Sequence, residues 1–158
     1  MIPTDLQAGL KERLENAFSD TLFNSPSGDR VHVNIFEQNL PQKSDKDQDL
    51  FPFVIVKLLE GEQKGEQDEQ NENITTVGFV IGTFDDDNQN QGYRDVTQII
   101  NKIVEVLKKE PVINRRFTLK YPLKWRILEE ETDPYYYGAV ETSWSMPAYD
   151  RQDLEGLI

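Results

Sequence analysis

Two stretches of the chain repeat apolar residues at the spacing of an amphipathic helix. The first follows Thr4, a residue suited to an N-cap, and ends near Ser19; its apolar face carries Leu6, Leu10, Leu14 and Phe18. The second covers residues 93–110 and ends before Pro111, which cannot continue a helix. Its apolar stripe consists of Val96, Ile99, Ile100, Ile103 and Leu107. The pattern predicts two helices, each with one buried face.

Other segments show the periodicity or composition of strands. Residues 31–35 alternate apolar and polar positions, which is typical of a half-buried strand. Residues 53–59 are apolar on both faces, and residues 75–84 are rich in β-branched and aromatic side chains, which favours two central antiparallel strands. Residues 123–127 and 140–144 alternate again and predict a hairpin with one apolar face. The expected fold class is α+β, a mostly antiparallel sheet of about four to five strands packed against two helices.

Two glycines and two polar stretches complete the pattern. Gly78 and Gly82 stand inside the second central strand, where a missing side chain indicates close packing by a helix or by another backbone. Residues 37–50 are polar and lack periodicity, so we expect a loop. Residues 60–73 contain six acids and one lysine, and this composition predicts a flexible, protruding hairpin connection.

Length and composition fit a single globular domain. The 158 residues are 37% hydrophobic and 29% charged, which is enough apolar material for one core. We assign this domain to residues 1–147 and expect residues 148–158 to form a polar tail. The absence of cysteine excludes disulfides and thiolate metal sites. No run approaches the ~20 apolar residues of a membrane helix and no signal peptide is apparent, so we expect no membrane partner and a cytoplasmic site of synthesis.

A strong negative charge narrows the choice of partners. The formal net charge is -12 and the sequence pI is about 4.5. Binding to phosphates requires Lys and Arg concentrated on one face, so specific binding to DNA is not expected. The same field would let DNA pass nearby without adhering, and it favours association with basic protein surfaces.

Several acidic runs are candidates for metal binding, and each is better explained as solvated surface. Residues 45–49 carry alternating aspartates that open like a calcium loop, but Leu50 and Val56 occupy the positions that need Gly and Glu. Residues 85–87 and 129–131 could each offer three carboxylates to Mg²⁺. Consecutive acids of this kind are typical of solvated turns.

The sequence offers little other catalytic chemistry. Glu62 and Lys64 have the acid-x-lysine spacing of some nuclease metal sites, but they fall in the polar connection and not on a rigid strand. His32 is the only histidine and has no Ser or Asp partner in a recognisable motif. The sequence lacks phosphate-loop, nucleophile-elbow and zinc-protease motifs. We therefore predict a protein that is not an enzyme, with no catalytic, cofactor or metal site.

Two groups of residues are candidate protein-interaction sites. The acids of the polar connection are suited to ordering on a neighbouring subunit; they are Glu60, Glu62, Glu66, Asp68, Glu69 and Glu72. The second group is the run of Tyr135, Tyr136 and Tyr137. Stacking of single-stranded nucleic acid on these rings would need a basic groove, whereas their sequence neighbours are acidic. Aromatic residues are favoured at protein interfaces, so we predict that role for the tyrosines.

Five fragments follow one another in a recognisable order. They are FPFVIVKLLEGE (51–62), VIGTF (80–84), QGYRD (91–95), PLKW (122–125) and YYGAVETSW (136–144). Together they resemble the tail-terminator, or tail-completion, proteins of long-tailed bacteriophages and prophages. The resemblance covers about residues 51–147, while the first helix agrees in position only.

The resemblance implies a small α+β subunit that forms a homohexameric ring. In that family the ring caps the tail tube, stops its polymerisation and presents a face to the head-completion or connector proteins. The expected partners are further copies of the chain, the tail-tube protein and a connector protein, with DNA only passing through the channel. The expected localisation is the neck or tail of the virion, and the host cytoplasm during assembly. The family supplies no catalytic residues to transfer.

Two other functions remain open at this point. The chain could be another neck or tail component, such as a head-closure protein or a tube protein, and a tube protein would polymerise spontaneously. It could also be a metal-dependent phage nuclease that uses the acids of residues 85–87 or 129–131. Loss of a Mg²⁺-dependent activity when those acids are replaced would identify the nuclease.

Overall fold

The computed structural model describes residues 2–41, 50–63, 72–86, 91–128 and 133–147. Two helices and eight strands occupy these residues. The helices are α1 (Pro3–Ala17) and α2 (Gln91–Lys109). The strands, in chain order, are β1 (Phe23–Asn24), β2 (Arg30–Val31), β3 (Asn34–Glu37), β4 (Phe53–Glu62), β5 (Glu72–Phe84), β6 (Val112–Ile113), β7 (Phe117–Ile127) and β8 (Tyr135–Pro147).

Six of the strands form one sheet, in the order β3-β4-β5-β8-β7-β6, and β1 and β2 form a separate short hairpin. Neighbouring strands of the large sheet are antiparallel except β3 and β4, which run parallel. The central strand β5 pairs with β4 on one side and with β8 along its whole length on the other. Its β-branched and aromatic side chains suit this central position.

The first helix begins one residue before the predicted cap. Pro3 occupies the first helical position, where its missing N–H costs no hydrogen bond. The Asp5 carboxylate accepts a hydrogen bond from the backbone N–H of Ile2 at 2.8 Å. Thr4 therefore lies inside α1, and the prediction that it caps the helix was wrong, because the proline and the aspartate together define an earlier start.

Both helices lie on the same face of the sheet and share one core. The core contains Leu6, Leu10 and Leu14 of α1 and Ile99, Ile103 and Leu107 of α2. α1 lies over β3 and β4, whereas α2 lies over β5, β7 and β8. Gly138 of β8 allows α2 to approach, since a Cβ atom there would lie 2.6 Å from Val96 Cγ1. Both predicted apolar stripes are confirmed.

The α+β class with two helices is confirmed, but the sheet is larger than predicted and mixed. The two short edge strands β3 and β6 are too brief to leave a period in the sequence. Residues 31–35 do not form one strand, because the chain leaves the β1–β2 hairpin after Val31 and joins the large sheet at Asn34. The parallel pairing of β3 with β4 is a long-range relationship that alternation cannot reveal.

The polar connection predicted at residues 60–73 is shorter in the structure, because strands extend into both of its ends. Residues 60–62 extend β4 and residues 72–73 begin β5, so at these positions the predicted flexible connection was wrong. Backbone pairing explains the difference, because the backbone of β5 pairs with the neighbouring strands on both sides regardless of the polarity of their side chains. Glu62, for example, lies opposite Ile74. Residues 64–71, residues 42–49 of the predicted loop and the predicted tail at 148–158 lie outside the described residues.

Candidate interaction surface

The face of the sheet opposite the helices is the candidate interaction surface. Alternate residues of β5 point to opposite faces, and Val77, Phe79 and Ile81 belong to the core beneath the helices. Gly78 and Val80 therefore belong to the other side, which we call the open face. In the part of the chain that the structure describes, neither helix packs against the open face.

An aromatic cluster lies at one end of the open face. It consists of Phe51, Phe53, Phe84, Tyr135 and Tyr137, with the Phe51 ring at its centre. The centroid of the Phe51 ring is 4.9 Å from that of Phe53, 4.7 Å from that of Tyr135 and 6.2 Å from that of Tyr137. Tilted and edge-on contacts at these distances are the favourable geometry for aromatic pairs.

Gly82 lies directly beneath the rings of the aromatic cluster. A Cβ atom at this position would lie 2.5 Å from the Phe53 ring and 3.0 Å from the ring of Phe51. At Gly78, a Cβ atom would lie 3.0 Å from Leu59 Cδ1. The predicted close packing over these glycines is therefore present, but side chains make it, and the prediction of a helix or another backbone was wrong.

A groove of about 580 Å³ lies beside the aromatic cluster, between β4 and β7 across β5 and β8. Its lining includes Leu59, Val80, Trp125 and Ala139. Leu59 is 54% exposed and Trp125 is 58% exposed, although both are large and apolar. Alternation along β7 places the Trp125 side chain on the helix side, because Trp125 lies opposite the core residue Val140. Leu59 is therefore the large exposed side chain of this groove on the open face, and an exposed apolar side chain within a groove is a feature of interaction sites.

The charges in the groove contrast with the acidity of the whole chain. Among the residues that the structure describes, three cations, Lys57, Lys124 and Arg126, line it together with one acid, Glu141. Lys124 and Glu141 are direct cross-strand partners in the β7–β8 register. The groove thus has an excess of positive charge on a protein whose net charge is -12. Such a local field favours an acidic partner surface.

The residues that the sequence predicts at a protein interface lie at two separate places in the structure. Glu60 and Glu62 are exposed on β4, opposite Thr76 and Ile74 of β5. The tyrosines pair with the other end of β5, since Tyr137 lies opposite Gly82. Six residues of strand separate the two levels, about 20 Å. Glu72 begins β5, and Glu66, Asp68 and Glu69 lie outside the described residues.

The three tyrosines do not form one surface. Tyr135 and Tyr137 belong to the aromatic cluster, whereas Tyr136 packs against the core on the helix side. The Tyr136 hydroxyl donates a hydrogen bond to the Asp133 carboxylate at 3.0 Å. Burial and this nearby carboxylate raise the pKa of Tyr136 above its ordinary value. Burial also raises the pKa of Tyr137, so both phenols stay neutral near pH 7.

The exposure of Leu59 and Trp125 was not predicted from the sequence. Trp125 was expected on the apolar face of a hairpin with Leu123 and Ile127, and those two residues do pack against the core. Trp125 is exposed because β7 lies near the edge of the sheet, where the two-residue β6 ends before reaching it. The one sequence feature that pointed to an apolar open face was the run of residues 53–59, which is apolar on both sides of the strand.

The acidic runs and the histidine have ordinary surroundings where the structure describes them. Asp85 is buried, its backbone N–H donates to the Pro134 carbonyl at 2.9 Å, and its carboxylate lies 3.5 Å from Asn24 Nδ2. His32 Nδ1 lies 3.1 Å from the Thr21 carbonyl. Among the described residues no three His, Asp or Glu side chains are grouped to hold a metal ion. Residues 45–49, 87 and 129–131 lie outside this description.

Comparison with known proteins supports the fold alone. No protein-family model matches the chain, and no curated protein does so. One solved structure, of a protein without a functional description, aligns with a TM-score of 0.54 and 10% sequence identity. The alignment covers 94% of this chain and 98% of the other chain. Within the described residues, no helix is long and apolar enough to cross a membrane.

Proposed function

We propose that this chain is a tail terminator, a structural protein that forms a ring, caps the phage tail tube and presents a surface to connector proteins. The observation that carries the proposal is the open face of the sheet, with its aromatic cluster, its groove and the exposed side chain of Leu59. A contiguous apolar and aromatic surface rimmed by polar residues is typical of a protein-interaction site.

Four of the five fragments that resemble the family lie on adjacent strands, and the fifth, residues 91–95, begins α2. Residues 51–62 contain β4, residues 80–84 end β5, residues 122–125 lie in β7 and residues 136–144 lie in β8. These are the four neighbouring strands that carry the open face. The resemblance therefore concerns the surface on which the proposal depends, and not only the core.

The charge distribution suits a channel protein that binds protein and lets DNA pass. A groove with three cations and one acid is too small a basic surface for a duplex, which needs many phosphate contacts. The remaining surface of the chain is acidic, because its net charge is -12. An acidic ring would repel the phosphate backbone and keep the DNA moving.

Tail length in electron micrographs tests the proposal. Particles assembled without the protein should carry overlong tails and lack heads, and adding the protein back should restore a uniform tail length. Leu59→Ser should fail to restore it, whereas Tyr93→Ala, a change at an exposed aromatic residue on α2, should succeed. Tails of normal length in the absence of the protein would refute the proposal. Spontaneous long tubes of the purified protein would instead identify a tube protein.

A further inference from the structure

Both edges of the large sheet are only partly paired. On one side, β3 pairs with β4 through Glu37 and Val56, and the Gln38 side chain then binds the backbone of Leu58. On the other side, β6 pairs only with Phe117 and Thr118 of β7. In the described structure, residues 59–62 of β4 and residues 121–127 of β7 therefore have no outer strand.

The two free edges carry charges of opposite sign. The free part of β4 contains Glu60 and Glu62, and the free part of β7 contains Lys124 and Arg126. All four side chains are exposed. None of them forms a salt bridge with another residue that the structure describes. The acidic edge and the basic edge lie on opposite sides of the sheet, so they cannot meet within one copy of the chain.

The directions of the two edges agree, and their heights differ by a fixed stagger. Glu60 lies level with Lys120, because Thr76 pairs with Glu60 and with Ser143, and Ser143 pairs with Lys120. Strand β7 has a bulge between Lys120 and Lys124, where four residues of β7 pass only two residues of β8. Lys124 therefore lies opposite Glu141, two residues from Ser143. Arg126 lies opposite Ala139 and so level with Val80, whereas Glu62 lies level with Ile74. The basic pair is therefore displaced from the acidic pair by about four residues of strand, about 13 Å.

Three successive antiparallel steps lead from β4 through β5 and β8 to β7. Strand β7 therefore runs opposite to β4. A rotation about an axis parallel to the strands keeps this direction, so β7 of one copy would meet β4 of the next copy as an antiparallel neighbour. Pairing Lys124 with Glu62 and Arg126 with Glu60 requires a stagger of about four residues between neighbouring copies, and strand tilt in a closed ring produces a stagger of this kind.

We propose that copies of this chain associate head to tail, with the basic edge of β7 in one subunit against the acidic edge of β4 in the next. This inference rests on the proposed ring function and names the contact that builds the ring. A contact between two different surfaces of the same protein continues from copy to copy, and it closes into a ring when the rotation allows. The side chains that meet are Lys124 and Arg126 on one side and Glu60 and Glu62 on the other.

Complementary charge reversals test the contact. The first variant, Lys124→Glu with Arg126→Glu, makes both edges acidic; the second, Glu60→Lys with Glu62→Lys, makes both basic. Each variant alone should associate about 10- to 100-fold more weakly than the wild type, because like charges meet at every contact. A 1:1 mixture should recover association as alternating assemblies, and so should the variant with all four changes. Light scattering and sedimentation at low salt measure this.

A matched control separates the contact from net charge. Lys108→Glu with Lys109→Glu changes the charge by the same amount at exposed residues near the end of α2 and should leave association unchanged. Wild-type protein that stays monomeric at high concentration, or single-edge variants that still assemble, would overturn the proposed contact. So would a mixture that stays dissociated. Failure of the wild type to limit tail length would refute the proposed function alone, since charge-dependent self-association would remain measurable.

Discussion

The side chain of Gln38 pairs with the backbone of Leu58 as an additional strand residue would. Its Nε2 donates to the Leu58 carbonyl at 3.1 Å, and its Oε1 accepts from the Leu58 N–H at 2.9 Å. The buried Gln7 of α1 donates to the same Oε1 and to the carbonyl of Val56. Strand β3 therefore ends at Glu37 without leaving the next backbone groups of β4 unpaired, and α1 is bound to the sheet edge.

Replacing Gln38 should destabilise the protein. Gln38→Ala removes both hydrogen bonds to Leu58 and the acceptor of the buried Gln7 amide, so we expect a loss of about 1–3 kcal/mol in the free energy of unfolding. Urea denaturation followed by far-ultraviolet circular dichroism measures the loss. Gln98→Ala, at an exposed position of α2, is the matched control and should change stability little. Equal stability of the two variants would contradict this role for Gln38.

A side chain at Gly82 should disturb the aromatic cluster. The Phe53 ring lies where the Cβ atom of Gly82→Ala would be placed, at 2.5 Å, so the rings of Phe53 and Phe51 must move. Overpacking of this kind costs about 1–3 kcal/mol. Gly61→Ala is the control on β4, because its Cβ atom would meet only the Ile74 carbonyl oxygen at 3.7 Å. Thermal unfolding of the two variants should show a lower midpoint only for Gly82→Ala.

The two tryptophans should differ in fluorescence and in stability. Trp144 is fully buried and its Nε1 donates to Thr142 Oγ1 at 2.8 Å, whereas Trp125 is 58% exposed. Trp144→Phe should leave a red-shifted emission that iodide quenches readily, and Trp125→Phe should leave a blue-shifted, protected emission. Trp144→Ala should cost about 3–5 kcal/mol of stability, because it opens a cavity in the core. Trp125→Ala should cost much less, so similar losses would contradict the assigned exposures.

Tyr137 should make stability sensitive to alkaline pH. Burial raises its pKa in the folded state above the unfolded value, which is about 10. The stability that this shift provides is complete below the unfolded pKa and is lost as the pH rises through the folded pKa. Denaturation at pH 8, 10 and 11 should show a shallower decline for Tyr137→Phe than for the wild type. Tyr121→Phe, at an exposed position of β7, should decline as the wild type does.

Much of the secondary structure could be predicted from the sequence, because local periodicity reports which side of an element is buried. The stripes of both helices and the two central strands follow from the spacing of apolar residues alone. Composition also limits the chemistry, since a chain without cysteine and with one histidine has few catalytic groups to offer. The interface role predicted for the tyrosines and the acidic residues stays a prediction.

The tertiary structure decided which residues meet. Trp125 and Trp144 both alternate with polar neighbours, yet one is exposed and the other buried, because their strands occupy different places in the sheet. Phe51 contacts Tyr135 although they are far apart in the chain, and Gly82 lies beneath them only through the register of β5 with β4 and β8. Strand order and register arise from long-range backbone pairing, and a local pattern of apolar residues carries no information on either.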